Sequence, residues 1–291
     1  MHATANLASL LAGDPIKKEL GKLLDFACPA QILGSGSFGS VLVFRTKTCE
    51  PCAVKLMDLR ILGENWEQTF QQEMRCHSRI SAGGGHPNII HIQRHFLDKN
   101  AAAACLLMEA GFMNLQTFFE SQVYSIPASL GHHCTLNLLQ GLTYLHKMII
   151  VHRDLAPKNI ILCHAGCSTA PFVCKIADLG CSRPLLDRLP TSAGFCTAWY
   201  RAPEVMDIIQ VETHSGQLSR YALACDVWSL GCILAEFLYG CILFAGPCCS
   251  EWSLLCRMRE LLGPCPPELK VVGCSAEALP GRRAASSVAT L

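Results

Sequence analysis

Two apolar runs in IIVHRDLAPKNIIL, residues 149–162, enclose a short polar loop in which His152, Arg153 and Asp154 are consecutive and Asn159 follows five residues after the acid. A carboxylate held there can accept or orient a hydroxyl proton, and an asparagine amide oxygen on the same loop can hold a divalent cation. Further on, ADLG supplies Asp178, another hard oxygen donor. Upstream, LGSGSFGSV (33–41) carries Gly34, Gly36 and Gly39, where the missing Cβ lets the backbone come close to a phosphate. On its own this pattern is weak, because a glycine hairpin looks the same. The context is more specific. A dinucleotide-binding turn opens directly into a helix, whereas here a strand-like run follows and AVK places Lys55 on the next strand, beneath the glycines. A buried lysine needs an acid to stay charged and aimed, and Glu64, Glu67 and Glu73 are the nearby candidates.

These residues need a scaffold. AQIL, SVLVFR and CAVKLM read as three strands, ENWEQTFQQEMRCHSRI (64–80) as a helix broken by AGGGHPN, and IIHIQRHF and ACLLMEA as two more strands. An antiparallel sheet with one helix therefore accounts for the first 110 residues, preceded by a short amphipathic helix within 1–25. After Gly111 the character changes. LGHHCTLNLLQGLTYLHKM places Leu136, Leu139, Leu142 and Leu145 at helical spacing, and further helices follow from about residue 200. The expected class is α+β: a sheet lobe at 26–110, a mainly helical lobe at 111–270, and a disordered tail at 271–291.

Composition removes several alternatives. With 291 residues, 51% hydrophobic, there is ample material for a core, and a net charge of +1 points to neither nucleic acid nor an anionic membrane. Nineteen cysteines in so long a chain, an odd number with no basic segment before an N-terminal apolar stretch, read as reduced intracellular thiols, in cytoplasm or nucleus. VWSLGCILAEFLYGCILFAG (227–246) has the length of a bilayer span, but Glu236 in its middle favours a helix buried on all sides within a lobe. The CxxC of Cys49 and Cys52 lacks a second pair at zinc spacing. Cys163, His164, Cys167 and Cys174 fit a hairpin between the Asn159 loop and Asp178 with thiols as small apolar groups.

GSGSFGSV, AVK, VHRDLAPKN, ADLG, WYRAPE and CDVWSLGCILAE, in that order, resemble the eukaryotic protein kinases over residues 29 to about 265. TAWYRAPEV, LFAG and LLGPCPPE resemble the cyclin-dependent kinase and related group of serine/threonine kinases. The resemblance implies a two-lobed kinase that uses ATP and Mg2+ to phosphorylate protein Ser or Thr hydroxyls, with a proline-directed preference. It assigns proton acceptance to Asp154, metal binding to Asn159 and Asp178, and phosphate alignment to Lys55 paired with Glu73. The nucleotide would lie against Leu33, Gly34, Gly36, Gly39, Val41, Ala53, Met108, Glu109 and Gly111. An upstream kinase would act on Ser192, five residues before Thr197, with Arg153 and Arg183 at two matching phosphate-binding positions and Gln72 at the third.

Departures from the family pattern carry expectations of their own. Ala156 stands where the group has a lysine that meets the transferred phosphate, and Lys158, two residues later, would serve instead. Leu179 replaces a phenylalanine. TFQQEMR around Glu73 is unlike the cyclin-binding helix, which argues against a cyclin partner. The Arg that pairs with Glu204 in the family comes from helices that do not follow LLGPCPPE here, and Arg282 and Arg283 lack that helical context. The expectation is a chain of low stability, prone to associate through its apolar helix. Ala156 and this short second lobe also keep open a rival reading, a catalytically weak kinase-like scaffold.

Overall fold

The structure is a computed structural model and describes residues 15–26, 31–36, 39–62, 66–121, 126–165, 172–184, 197–206, 209–211, 218–246, 250–265 and 269–271. Strand alternation builds the first lobe. In β4 (Pro51–Asp58), Cys52, Val54 and Leu56 are buried against Leu42 and Phe44 of β3 (Gly39–Thr46) and Cys105 and Leu107 of β6 (Ala103–Glu109). Helix α1 (Pro15–Gly21) covers that face with Ile16 and Leu20. The alternate residues turn the other way. Met57 and Leu106 pack on Phe70 and Met74 of helix α2 (Trp66–Ala82), while Ala53, Lys55 and Met108 line a cleft. The two-residue period thus divides one sheet into a core face and a face available for chemistry.

The sheet order is β1-β3-β4-β6-β5, antiparallel throughout, with β2 (Gln31–Gly36) also paired to β3; β5 is Ile92–Asp98. The five expected strands and the helix are present, and a two-residue β1 (Leu24–Asp25) adds an edge. Gly39 is required by packing as well as by its turn. At φ 149° a Cβ there would lie 1.8 Å from the Leu56 carbonyl oxygen.

The chain enters the second lobe through residues 110–112, and β7 (Met113–Asn114) pairs with β9 (Ile160–Cys163), itself paired with β10 (Val173–Ile176). Gly111 allows this crossing, since a Cβ would sit 2.1 Å from Ile161 Cγ2. Helices α3 (Leu115–Ser121), α4 (Ala128–Lys147), α5 (Leu218–Tyr239) and α6 (Glu251–Leu262) follow, with two short pairs: β8 (Ile150–Val151) on β11 (Arg183–Pro184), and β12 (Ile209–Val211) on β13 (Leu269–Val271).

Helix α2 belongs to both lobes. Near its start Glu67 pairs with Lys99 of the β5–β6 turn. At its end the Ile80 carbonyl accepts the Tyr144 hydroxyl of α4 at 3.1 Å. The segment after it is stitched to β10, Ile176 N–H to Asn88 O and Ile90 N–H to Ile176 O, each at 2.8 Å.

Two expectations are corrected. The leucine series on α4 is half exposed: Leu142 and Leu145 are buried with Cys134 and Leu138, but Leu136 and Leu139 face outward. Three-residue steps lose about 60° of helical rotation each, so Leu136 and Leu145 end on opposite sides. The apolar run at 227–246 is not a helix buried on all sides. α5 stops at Tyr239, and Val227, Leu238 and Tyr239 are exposed. Among the described residues no helix is long and apolar enough to cross a membrane. The expected cysteine hairpin is present as β9–β10, with Cys163 opposite Val173. Burial pushes the Cys163 thiol up to about 11, so it is neutral at physiological pH. Cys49 is exposed and Cys52 buried. Cys167, Ser192, Arg282, Arg283 and the expected tail beyond Val271 lie outside the described residues, as does the Arg183 side chain.

Candidate active site

Between the lobes lies an open cleft with a cavity volume of about 140 Å³. Leu33, Val41, Ala53, Met108, Glu109 and Gly111 line its outer part, and Lys55, Glu73, Lys158, Asn159 and Asp178 its inner part. Gly34 and Gly36 lie in β2, paired with Val41 and Gly39. Asp154 bonds two of the lining residues, Asn159 and Lys158.

Lys55 Nζ bonds Asp178 Oδ1 at 2.8 Å. Glu73, the partner expected from sequence, adds attraction through space rather than this bond. Burial disfavours the Lys55 ammonium, but the attraction of Asp178 and then Glu73 outweighs it and holds its pKa above the usual lysine range. Burial likewise opposes ionised Asp178, and Lys55 overcomes this and pulls the carboxyl down to about 2. His77, one turn beyond Glu73, lines the inner end; burial and then the Lys55 cation lower its pKa to about 3, leaving a neutral imidazole.

Asp154 is held from every side. Oδ1 accepts the Thr197 N–H at 2.7 Å and its hydroxyl at 2.8 Å; Oδ2 accepts Asn159 Nδ2 at 3.0 Å and lies 3.2 Å from Lys158 Nζ. Asn159 Nδ2 also donates to the Asp154 carbonyl at 2.7 Å, which fixes the amide with its oxygen as acceptor. The loop itself is anchored by Asp226, fully buried near the middle of α5. Its carboxylate accepts the His152 N–H and the Arg153 N–H, both at 2.8 Å, and His146 Nε2 at 2.9 Å. Those bonds help to hold Arg153 at φ 72°, a left-handed conformation that costs a non-glycine residue energy. His152 Nε2 donates to Ala177 O at 3.0 Å, tying the loop to the strand end that delivers Asp178. Sequence reading placed each main cleft residue but missed the Thr197–Asp154 contact, the anchor Asp226 and the pocket histidine His77. An acid directly before the apolar run 227–246 was the available signal for Asp226, since such a carboxylate must find donors.

Glu204 is half-buried, and among the described residues its carboxyl has only its own backbone N–H as donor. Burial raises its pKa above 4.5. A carboxyl raised by folding contributes most stability while protonated, below its unfolded value, and loses it as pH rises through the folded value. Glu204→Gln should therefore raise the melting temperature at pH 7 by about 2 °C, the scale of one relieved polar group in a chain this size. The gain should shrink as pH falls toward 4.5 in paired thermal melts, and an equal or larger gain at acid pH would contradict this account.

Residues 29–259 match the protein kinase domain family, and the chain belongs to the eukaryotic protein kinases, alongside the cyclin-dependent and related serine/threonine kinases. One relative is the dual specificity tyrosine-phosphorylation-regulated kinase 3 of Homo sapiens, 32% identical over 243 residues, covering 82% of this chain and 37% of the relative. The serine/threonine-protein kinase ICK of Rattus norvegicus is 30% identical over 79% of this chain and 33% of its own length. The cyclin-dependent kinase 4 homolog of Caenorhabditis elegans is 30% identical, over 74% and 50%. The chain thus spans half or less of these relatives' length.

Proposed function

We propose that this chain transfers the γ-phosphoryl group of ATP to serine or threonine hydroxyls of protein substrates, with magnesium as the cation. One observation carries the reading: a single cleft brings the Lys55–Asp178 pair together with Lys158 and Asn159, which, with Thr197 from a distant segment, each bond Asp154. In this reading the adenine lies between Leu33, Val41 and Ala53 on one side and Ile161 on the other, beside Met108, Glu109 and Gly111. Gly34, Gly36 and Gly39 cover the phosphates. Lys55 aligns them with Glu73 behind it, residues 26–110 form the nucleotide lobe, and residues 111–270 carry the acceptor.

The donor set fits magnesium, a hard cation that takes oxygen ligands. Asn159 has both its amide bonds committed through nitrogen, and Asp178 is ionised at any physiological pH. These two residues would hold the ion, which when bound neutralises charge on the transferring phosphoryl group. Asp154 accepts the acceptor hydroxyl's proton as its oxygen bonds the γ-phosphorus and the bond to the bridging oxygen of ADP breaks. Ala156 is fully buried in the core and reaches nothing in the cleft, so Lys158 supplies the cation beside Asp154. Proline direction and a place in cytoplasm or nucleus belong to the same reading; the described cysteines are free thiols.

The test is incubation of the purified chain with labelled ATP, magnesium and a peptide library containing Ser, Thr and Tyr acceptors, with Asp154→Asn beside it. Tyrosine is included because the relative named a dual specificity kinase and the position of Lys158 both bear on it. Label on Ser or Thr peptides, absent with Asp154→Asn, is the expected result; nucleotide binding without transfer would favour the scaffold. Ser192 is the proposed target of an upstream kinase, where a phosphate would gain charge-assisted bonds from Arg153. Treatment with an activating kinase should raise the wild-type rate and leave Ser192→Ala unchanged; equal rates would remove Ser192 from the account.

A further inference from the structure

Lys175 has no part in the scheme above, yet its ammonium lies inside the molecule, 16% exposed, and bonds Glu109 Oε2 at 2.7 Å. Glu109 is the last residue of β6, at the cleft rim where the strand gives way to the crossing. Its other oxygen, Oε1, accepts the His91 N–H at 2.8 Å, and its own N–H donates to the His91 carbonyl at 3.2 Å. One carboxylate therefore ties three segments: the start of β5, the rim of the nucleotide cleft, and β10. Lys175 sits three residues before Asp178 on β10, a strand paired with β9 on one edge and with Asn88 and Ile90 on the other.

From this arrangement, and resting on the kinase reading, we infer that Lys175 is a positioning residue: through Glu109 it holds the base-binding rim of the cleft at a fixed distance from Asp178. The bond is partly buried and charge-assisted, the kind that is stronger and geometrically tighter than a surface pair. Removing the ammonium leaves the backbone pairing of β10 intact, so the strand stays in place while the rim loses one of its two side-chain anchors. The consequence falls on binding of the base rather than on the transfer step.

The experiment uses the full chain and adenosine, which carries no phosphate and needs no magnesium, so that its affinity reads the rim alone. Lys175→Met should weaken adenosine binding about fivefold to tenfold, the worth of one such bond. Lys175→Arg, which keeps the charge and the donors, should restore most of it. KM for ATP should rise more than kcat falls. A double-mutant cycle with Glu109→Gln should show the two losses to be less than additive. Unchanged adenosine affinity in a cooperatively melting Lys175→Met chain would overturn the inference, as would an equal loss in Lys175→Arg, or strictly additive losses. Wild-type chain that binds adenosine without transferring phosphate would defeat the proposed activity alone; failure to bind adenosine at all would defeat both.

Discussion

Asp154→Asn should fold like the wild type and transfer phosphate at least about a hundredfold more slowly, because the substitution keeps the shape and removes the carboxylate proposed to accept the hydroxyl proton. The asparagine can still accept the Thr197 N–H, so the loop has no reason to collapse. Its amide nitrogen, however, meets the Asn159 amide across a bond that now has donors on both sides. Asp178→Asn should cost about as much by a different route, losing the carboxylate proposed to ligate magnesium and the charge partner of Lys55. Cys49→Ser, on the exposed turn before β4, should leave the rate unchanged. Initial rates with saturating ATP and magnesium settle the matter, and full activity in either asparagine variant would refute the assignment. The same pair has an acid signature. Asp178 is depressed from 3.8 to about 2, so its contribution to stability is complete above the unfolded value and is lost as pH falls through the interval between them. Asp178→Asn should lack that acid limb.

Asp226→Ala should be strongly destabilising, by about 3–5 kcal/mol, because it strands two backbone N–H groups of the loop and a histidine donor at once. Asp226 is fully buried. His146→Ala removes one of the three donors and leaves both backbone bonds, so it should cost distinctly less. Transfer should also fall in Asp226→Ala even where the chain is folded, since Asp154 directly follows Arg153 on the anchored turn. Urea unfolding of the two variants decides it. A loss below about 1 kcal/mol for Asp226→Ala, the value of one ordinary bond, would show that the anchor is unimportant.

What sequence conveys here depends on how far apart the partners lie. The strands of the sheet were legible because their patterns and the turns between them are local, and Asp154 and Asn159 declare themselves by a five-residue spacing. The Thr197 bonds to Asp154 span 43 residues and those of Asp226 to the loop more than 70, and no local pattern encodes them. The second acid beside Lys55 was hidden for a related reason. Glu73 and Asp178 both converge on Lys55, and only the folded geometry says which one closes to bonding distance. The leucines of α4 misled because a three-residue repeat resembles a helical face over two turns and departs from it over three. The exposed flank of α5 was hidden by a composition apolar on every side, which carries no directional information.

Helix α2, with its first turn fastened to the sheet lobe and its last turn to α4 and β10, behaves as a lever with its fulcrum near Ile80. At 1.5 Å per residue, Glu73 stands about 10 Å from that fulcrum and His77 about 5 Å. Any rotation of one lobe over the other must swing the helix, and a swing of about 20° would carry Glu73 roughly 4 Å while moving His77 half as far. Glu73 is therefore the most sensitive indicator of lobe closure on the cleft wall, and the spacing of two side chains along one helix sets the gain.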